Sequence, residues 1–278
     1  RGELSNDLAY CVYEEPEGTI WIGTSYGLNK IEENKTEVFL TDEGLSSLII
    51  SSLTSDANGN IWIGTDGYGV NKLSGDKFTL YSTENGLSSN SILSLFFDSN
   101  ENLWIGTNGG GINILSNETI RNIDWDYFPG EFVSDFIEDS ENKIWIATLD
   151  HGLFVYDQKT FSNIPGSQNL EIWSVYEDSD SQIWIACDNG IGQVKADSIR
   201  LYGEAEGLFD EKIHSIIEFS KNDFWFSSDE GIFRIDKKDI QLFDNGLINQ
   251  IPYISYGIED GMEAAECSEG DPAVLKTS

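Results

Sequence analysis

The sequence is poor in basic residues and in cysteine, and each shortage excludes a class of protein. Its 278 residues contain 16 Lys and Arg against 49 Asp and Glu, which gives a formal charge of −33. Binding to a phosphate backbone needs clustered Lys and Arg that displace counterions, so a nucleic-acid partner is excluded. Three cysteines, Cys11, Cys187 and Cys267, provide neither a disulfide framework nor a CxxC metal motif.

Long apolar runs and enzyme motifs are missing as well. The apolar stretches span only a few residues, so we expect no direct membrane insertion. The start, Arg1-Gly-Glu-Leu-Ser, lacks a basic-then-apolar signal segment, which leaves a cytosolic protein or a piece of a longer one. With two histidines and no GxSxG, HExxH or P-loop motif, we predict neither catalysis nor a cofactor. Disorder is not expected, because 39% of the residues are hydrophobic and 12% aromatic.

A repeat runs through the sequence. Segments such as Ile61-Trp-Ile-Gly-Thr and Ile144-Trp-Ile-Ala-Thr recur six times, with their tryptophans 39 to 42 residues apart. The six tryptophans of this column are Trp21, Trp62, Trp104, Trp145, Trp184 and Trp225. An apolar stretch and an Asp- and Asn-rich turn precede each tryptophan, and two further strand-like segments follow it. Four short strands per 41 residues, with no helix between them, predict an all-β fold, a β-propeller of four-stranded blades.

Blade counting gives six complete units and a remainder. We predict a single propeller domain with blades at about 5–42, 46–84, 88–126, 130–166, 170–205 and 211–250. Residues 251–278 would form a truncated seventh blade, because Tyr256-Gly-Ile-Glu-Asp-Gly-Met matches the inter-blade segment Tyr81-Ser-Thr-Glu-Asn-Gly-Leu. A closed six-bladed ring is the alternative.

These motifs resemble a known family. The Asn85-Gly-Leu-Ser-Ser-Asn linker and the segment Leu103-Trp-Ile-Gly-Thr-Asn-Gly-Gly-Gly-Ile, repeated with variations, resemble the two-component regulator propeller repeat. The resemblance implies the extracytoplasmic, periplasmic sensor of a bacterial signalling receptor. It also implies that an Ig-like module, a membrane helix and a histidine kinase or diguanylate cyclase follow in the same receptor chain. Small-for-small changes, such as Ala147 for glycine, leave the blade pattern intact.

Candidate ligand-binding residues are expected where loops from different blades converge. In a propeller, the inter-blade linkers and the turns between the second and third strands share one face. The residues predicted there are Trp125, Tyr127, His151, Asp150, Trp173, Tyr68, Asp66, Asn108, Asp188 and His214. Trp125 and Trp173 lie outside the structural tryptophan column, and indole rings stack well on sugars. We therefore expect a small polar ligand, with a glycan as the leading candidate.

Alternative interpretations stay open for several of these residues. Trp173 could instead pack between blades, and the Asp-rich turns, which would suit calcium, are explained equally well as hairpin turns. One inner-strand position differs strongly between blades, as expected for a surface that distinguishes between ligands. Its residues are Tyr10, Ser51, Leu93, Ser134, Trp173 and His214. Two other functions remain: a scaffold for protein docking or homodimerisation, and a streptogramin-lyase-like enzyme that uses His214 with Glu211 or Glu218.

Overall fold

The chain folds into six β-sheets. A computed structural model describes residues 4–33, 35–196 and 198–262. Each sheet contains four antiparallel strands in chain order, from an inner first strand to an outer fourth strand. The prediction of an all-β propeller with six four-stranded blades is therefore confirmed. Among the described residues, no helix is long and apolar enough to cross a membrane.

The first three blades contain the first twelve strands. Their strands are β1 (Ala9–Glu14), β2 (Ile20–Thr24), β3 (Gly27–Glu32), β4 (Lys35–Phe39), β5 (Ile50–Ser55), β6 (Ile61–Thr65), β7 (Gly69–Ser74), β8 (Lys77–Tyr81), β9 (Ile92–Phe97), β10 (Leu103–Thr107), β11 (Ile112–Ser116) and β12 (Thr119–Asn122). Short 3₁₀ turns link blade one to two and blade two to three, at Thr41–Glu43 and Thr83–Asn85.

The last three blades contain the deviations from the regular repeat. Their strands are β13 (Val133–Glu138), β14 (Ile144–Thr148), β15 (Gly152–Tyr156), β16 (Phe161–Asn163), β17 (Ile172–Glu177), β18 (Ile183–Cys187), β19 (Gly190–Lys195), β20 (Ser198–Tyr202), β21 (Ile213–Ser220), β22 (Asp223–Ser228), β23 (Gly231–Asp236) and β24 (Ile254–Tyr256). A 3₁₀ turn at Glu204–Glu206 joins blade five to blade six, and another, at Ile258–Asp260, follows β24.

Blade six differs from its prediction. A helix, α1 (Lys237–Asp244), separates its third and fourth strands, although the repeat pattern indicated no helix. The Asp236 side chain caps the helix by accepting a hydrogen bond from the Lys238 amide, and Ile240 packs into the core. The fourth strand, β24, pairs with β23, so residues 254–256 belong to blade six and not to a seventh blade. Residues 263–278 of the predicted seventh blade lie outside the described residues.

The core lies between successive blades. Five clusters of buried apolar side chains fill the interfaces from blades one and two to blades five and six. In blades one to five the column tryptophan is 8% exposed or less and belongs to the cluster shared with the next blade. Each of these indole N–H groups donates to an acid six residues earlier, for example Trp104 to Asp98 at 2.9 Å. The repeated tryptophan therefore joins its own hairpin turn to the neighbouring blade.

The aspartate carboxylates of the Asp-rich turns accept their hydrogen bonds from donors within the protein. Asp56 accepts hydrogen bonds from the Asn58 and Asn60 amides, the Asn60 side chain and the Trp62 indole, and Lys72 Nζ lies 3.3 Å away. Asp98 has equivalent amide and indole donors. These contacts explain the recurring aspartate as a turn and anchor residue.

Candidate functional site

An axial cavity of about 340 Å³ lies where the six inner strands meet. All six blades contribute to its lining, through Tyr13, Leu53, Leu95, Asp135, Trp173 and His214 in chain order. Parallel packing of β1, β5, β9, β13, β17 and β21 around a common axis produces this cavity. A ligand bound here would contact all six repeats at once.

Every inner strand carries a β-bulge at the same position. The bulged residues are Tyr10, Ser51, Leu93, Ser134, Trp173 and His214, the variable column identified in the sequence. A bulge places one extra residue in the strand without a partner in the ladder and redirects its side chain. Trp173 and His214 line the axial cavity. The column varies because its members do not have to satisfy a cross-strand pairing.

Three predicted residues form one contiguous cluster in blades five and six. The Trp173 indole donates to Asp188 Oδ1 at 2.6 Å, and its ring meets the His214 ring edge-to-face, with centroids 5.7 Å apart. His214 Nε2 lies 2.6 Å from Asp229 Oδ1, and its side chain is fully buried. Both aspartates follow the second strand of their blade directly, so the same loop position orients both rings.

Two further charged residues complete this blade-five/six cluster. Lys212 Nζ lies 5.6 Å from the centre of the Trp173 ring and 3.6 Å from Asp229 Oδ2. Hydrogen bonding with Asp188 is the main cause that raises the pKa of Glu171. Lys212 and Glu171 each precede a bulged residue by two positions, a spacing that could have identified them in the sequence.

Asp135 is the one charged residue in a column of small inner-strand residues. Its carboxylate accepts hydrogen bonds from the Phe136 amide at 2.7 Å and the Val175 amide at 2.8 Å. Desolvation raises the pKa of Asp135 to about 7, and this effect outweighs the hydrogen bonds from the two amides, which lower the pKa. A protonatable group therefore lies in the wall of the cavity. The sequence column contained this signal, since serine or cysteine occupies the position in the other blades.

The remaining predicted residues lie outside the cluster. Asp150 Oδ2 accepts from the Glu131 amide and lies 2.9 Å from His151 Nδ1. Asp66 Oδ1 accepts from the Ser91 hydroxyl at 2.6 Å. Asn108 pairs through its backbone with Phe132, which ties blade three to blade four. These loops hold neighbouring blades together.

Three predicted aromatic rings are exposed. Trp125 is 55% exposed, Tyr127 73% and Tyr68 58%. Asp124 organises the loop around Trp125 by accepting from the Asp126 amide, and Phe128 of the same loop is buried against Phe154. Buried Phe128 thus anchors a loop that carries the rings of Trp125 and Tyr127 into solvent.

The geometry required by the enzyme alternative is only partly present. His214 lies at the axis, but its hydrogen-bonding partner is Asp229, while Glu218 is bound by Ser179 and Lys237 in the interface of blades five and six. Within residues 4–262 as described, no group of three or more His, Cys, Asp or Glu side chains is arranged to hold a metal ion.

The comparisons with known proteins identify the repeat. The family model described as "Two component regulator propeller" matches residues 3–26, 44–67, 86–109, 127–150 and 166–189. No curated protein matches the sequence. The fold is similar to the extracellular domain of a hybrid two-component system from B. thetaiotaomicron (TM-score 0.77, 19% identity), with 95% of this chain and 37% of that chain covered. This chain therefore spans little more than a third of that protein.

Two other solved structures share the architecture. A catalytically inactive virginiamycin B lyase from Staphylococcus aureus, solved with quinupristin, superposes with a TM-score of 0.74 at 16% identity, over 96% of this chain and 90% of that one. PorZ of Porphyromonas gingivalis, a surface component of the type-IX secretion system, superposes with a TM-score of 0.63 at 12% identity. The match covers 81% of this chain and 38% of that one. At these identities the similarity shows the fold.

Proposed function

Because this chain belongs to the two-component regulator propeller repeat family, we propose that it is the extracytoplasmic sensor of a bacterial signalling receptor. The rest of the receptor would be an Ig-like module, a membrane helix and a histidine kinase or diguanylate cyclase. The chain itself would bind a ligand and carry out no chemistry. Family membership supports the sensor role, and the fold shared with an extracellular domain is consistent with the location.

The ligand we propose is a small, neutral, polar molecule, with an oligosaccharide as the leading candidate. A formal charge of −33 repels anions, which disfavours acidic ligands. The observation that carries the proposal is the bulge in every inner strand, which places two of the six variable side chains, Trp173 and His214, in the wall of the axial cavity. Binding residues commonly lie where a rigid scaffold holds variable positions.

Different residues would have different roles in this site. Asp188 and Asp229 would hydrogen bond to ligand hydroxyl groups, since their carboxylates already form an ordered polar wall beside Trp173, and the buried His214 ring would orient Asp229. The exposed rings of Trp125 and Tyr127 would stack on the apolar face of a sugar. Asp150, His151, Asp66, Asn108 and Tyr68 would form the outer rim.

Signalling would follow from a shift between two arrangements. A ligand changes an equilibrium only by binding one state more tightly than the other. A rigid propeller would transmit binding by favouring one orientation relative to the next module, or relative to a second copy in a dimer.

The test is a substitution at the exposed indole. Trp125→Ala should weaken binding of the responsive oligosaccharide about tenfold, which corresponds to about 1.4 kcal/mol, and leave Tm nearly unchanged. Trp104→Ala, which removes a buried column tryptophan, is the matched control and should lower Tm strongly. The measurements are a thermal-shift screen against neutral oligosaccharides, followed by calorimetric titration.

Three results would contradict the sensor site. A loss of Tm in Trp125→Ala equal to that in Trp104→Ala would assign the ring to packing. Turnover of a macrocyclic lactone that His214→Ala abolishes would establish the lyase alternative. Self-association at micromolar concentration, with no oligosaccharide response, would favour the scaffold.

A further inference from the structure

Helix α1 lies in a groove between blades five and six and is held at both ends by ion pairs. Near its start, Lys237 Nζ lies 2.8 Å from Asp178 Oδ2 and 2.7 Å from Glu218 Oε1. Near its end, Asp244 Oδ1 lies 3.9 Å from Arg200 Nε. The groove therefore has an acidic end and a basic end, and the helix bridges them with a lysine and an aspartate seven positions apart.

The apolar side of α1 fills the space between these ends. Ile240 is buried in the core cluster of blades five and six, and the Phe243 ring meets the Tyr202 ring edge-to-face, with centroids 6.4 Å apart. In a helix, positions i, i+3 and i+7 lie on one face. The occupant of this groove thus has a lysine, an apolar residue three positions later and an acid seven positions later.

A cavity of about 450 Å³ lies at the equivalent place between blades three and four. Blade four has only residues 157–160 between its third and outer strands, so this connection supplies no helix. Gln158 stands at the position of Lys237, six residues after the glycine that begins the third strand. Its side-chain amide donates to the Asn142 carbonyl at 3.3 Å. The groove therefore has space where blade six provides a helix.

The two acids of this groove are held by the same hydrogen bonds as their equivalents. Asp98 Oδ2 accepts from its column tryptophan at 2.9 Å, as Asp178 Oδ2 does. Glu138 accepts from the amide and hydroxyl of the serine after Asp98, as Glu218 does from the serine after Asp178. Within the described residues no Lys or Arg forms an ion pair with Asp98 or Glu138, whereas Lys237 pairs with both of their equivalents.

Arg121 provides the basic end of this groove. It pairs with β11 at the ladder position that Arg200 has against β19 in blade five. Arg121 is exposed, lines the cavity and has no ion-pair partner in the described part of the chain. Asp98, Glu138 and Arg121 therefore reproduce the charges that hold the two ends of α1.

The remaining interfaces lack at least one of these three charges. Ser55 and Phe97 replace the glutamate in the first two interfaces. Lys72 already lies 3.3 Å from Asp56 in the second, so the turn aspartate accepts a cation in addition to its turn hydrogen bonds. The interface of blades four and five has both acids, but Ser162 stands at the position of the arginine.

We propose that the groove between blades three and four binds an amphipathic helix of a partner protein. The helix would carry a lysine in its first turn, an apolar residue three positions later and an Asp or Glu seven positions later. Its lysine would lie between Asp98 and Glu138, and its acid would pair with Arg121. Charge complementarity and the matching groove around α1 support this occupant, and the inference does not depend on the ligand proposed for the axial cavity.

The probe is a capped synthetic peptide with the sequence of residues 236–247, which contain α1. It has two lysines and three aspartates, so general attraction to an acidic protein does not favour its binding. A short peptide is only marginally helical in water, so its Kd should be about 0.5 mM, measured by fluorescence anisotropy. Glu138→Gln should weaken binding about fivefold or more, because the lysine loses one of two carboxylates. Glu177→Gln, the matched acid between blades four and five, should not change the affinity.

A charge exchange tests the direction of the helix. Arg121→Glu should weaken binding of the peptide about threefold or more, because it places two like charges together. A peptide with Asp244→Lys should bind the Arg121→Glu chain more tightly than it binds the original chain. Melting curves show whether each variant is folded at the temperature of the titration.

Three results would overturn the proposal. The first is no binding at about 1 mM protein. The second is an affinity that Glu138→Gln leaves unchanged or that Glu218→Gln reduces instead, because the peptide would then exchange with α1 in its own groove. The third is equal affinity for n-butylamine, which has the ammonium group alone and would make the groove a site for small amines.

Discussion

At the scale of single residues, the sequence predicted which residue types would be important better than it predicted the contacts that they make. The aspartates of the hairpin turns were recognised as turn residues, yet their bonds to tryptophan N–H groups appear only in the structure. Trp173 and His214 were chosen as neighbours of the axis, and the structure adds Asp229 and Lys212 beside them. Position in the repeat could have selected Asp229 and Lys212 as candidates, but their contacts join different loops and blades and appear only in the structure.

Asp135 predicts a pH dependence of stability. Its pKa is raised to about 7 in the folded protein, so the native state holds the proton where the unfolded chain has released it. The contribution of this group to the free energy of unfolding therefore falls as the pH rises from about 4 to about 7, by about 4 kcal/mol at most. Asp135→Asn should lack this loss.

Urea denaturation at pH 5 and pH 8 checks this prediction. Relative to Asp135→Asn, the natural protein should be less stable at pH 8 than at pH 5. If the two proteins differ in free energy of unfolding by the same amount at both pH values, Asp135 is already ionised at pH 5.

At the scale of elements, the repeat predicted four strands in each of six blades and missed a helix. The regular blades follow from alternating apolar residues and from turns that recur at fixed spacing. Helix α1 breaks the pattern because residues 237–253 separate the third and outer strands of blade six, where the other blades have two to four residues, and a short amphipathic segment gives little periodic signal. Its position depends on a buried lysine, which no local rule predicts.

Lys237 at the start of this helix should be a key stabilising residue. It is 7% exposed, and its Nζ lies 2.8 Å from Asp178 Oδ2 and 2.7 Å from Glu218 Oε1. Burial lowers the pKa of Lys237, but hydrogen bonds with Asp178 and Glu218 outweigh this effect, so the pKa lies above its ordinary value. Lys237→Ala should cost about 3–5 kcal/mol, because two buried carboxylates lose their counter-charge.

The neighbouring lysine provides the control. Lys238 pairs with Asp236 at the surface, so Lys238→Ala should change stability by about 0.5 kcal/mol or less. Chemical denaturation of both variants measures the contrast. Equal effects would mean that the carboxylates around Lys237 are neutralised by protons or by bound cations.

At the scale of the whole molecule, the propeller was predictable because one feature, the tryptophan column, recurs at nearly constant spacing. Blade six was assigned too short a range, since its outer strand comes after the inserted helix. The residues that line the axial cavity were harder to predict, because they belong to different repeats and are brought together only by the packing of the inner strands around one axis.

The charge of −33 predicts a salt dependence for the molecule as a whole. Like charges repel one another more strongly in the compact state, and added salt screens this repulsion. Tm should therefore rise by about 5 °C between 20 and 300 mM NaCl, measured by scanning calorimetry. A Tm that is flat over this range would indicate charges that are well separated or compensated.

The bulges allow six inner-strand side chains to change while the blades stay the same. Each bulged residue stands outside the register of its strand, so exchanging it breaks no ladder hydrogen bond and moves no column tryptophan. Under the proposed sensor role, ligand specificity would change through these six positions without refolding of the blades, and Trp173 and His214 would change together because their rings are in contact.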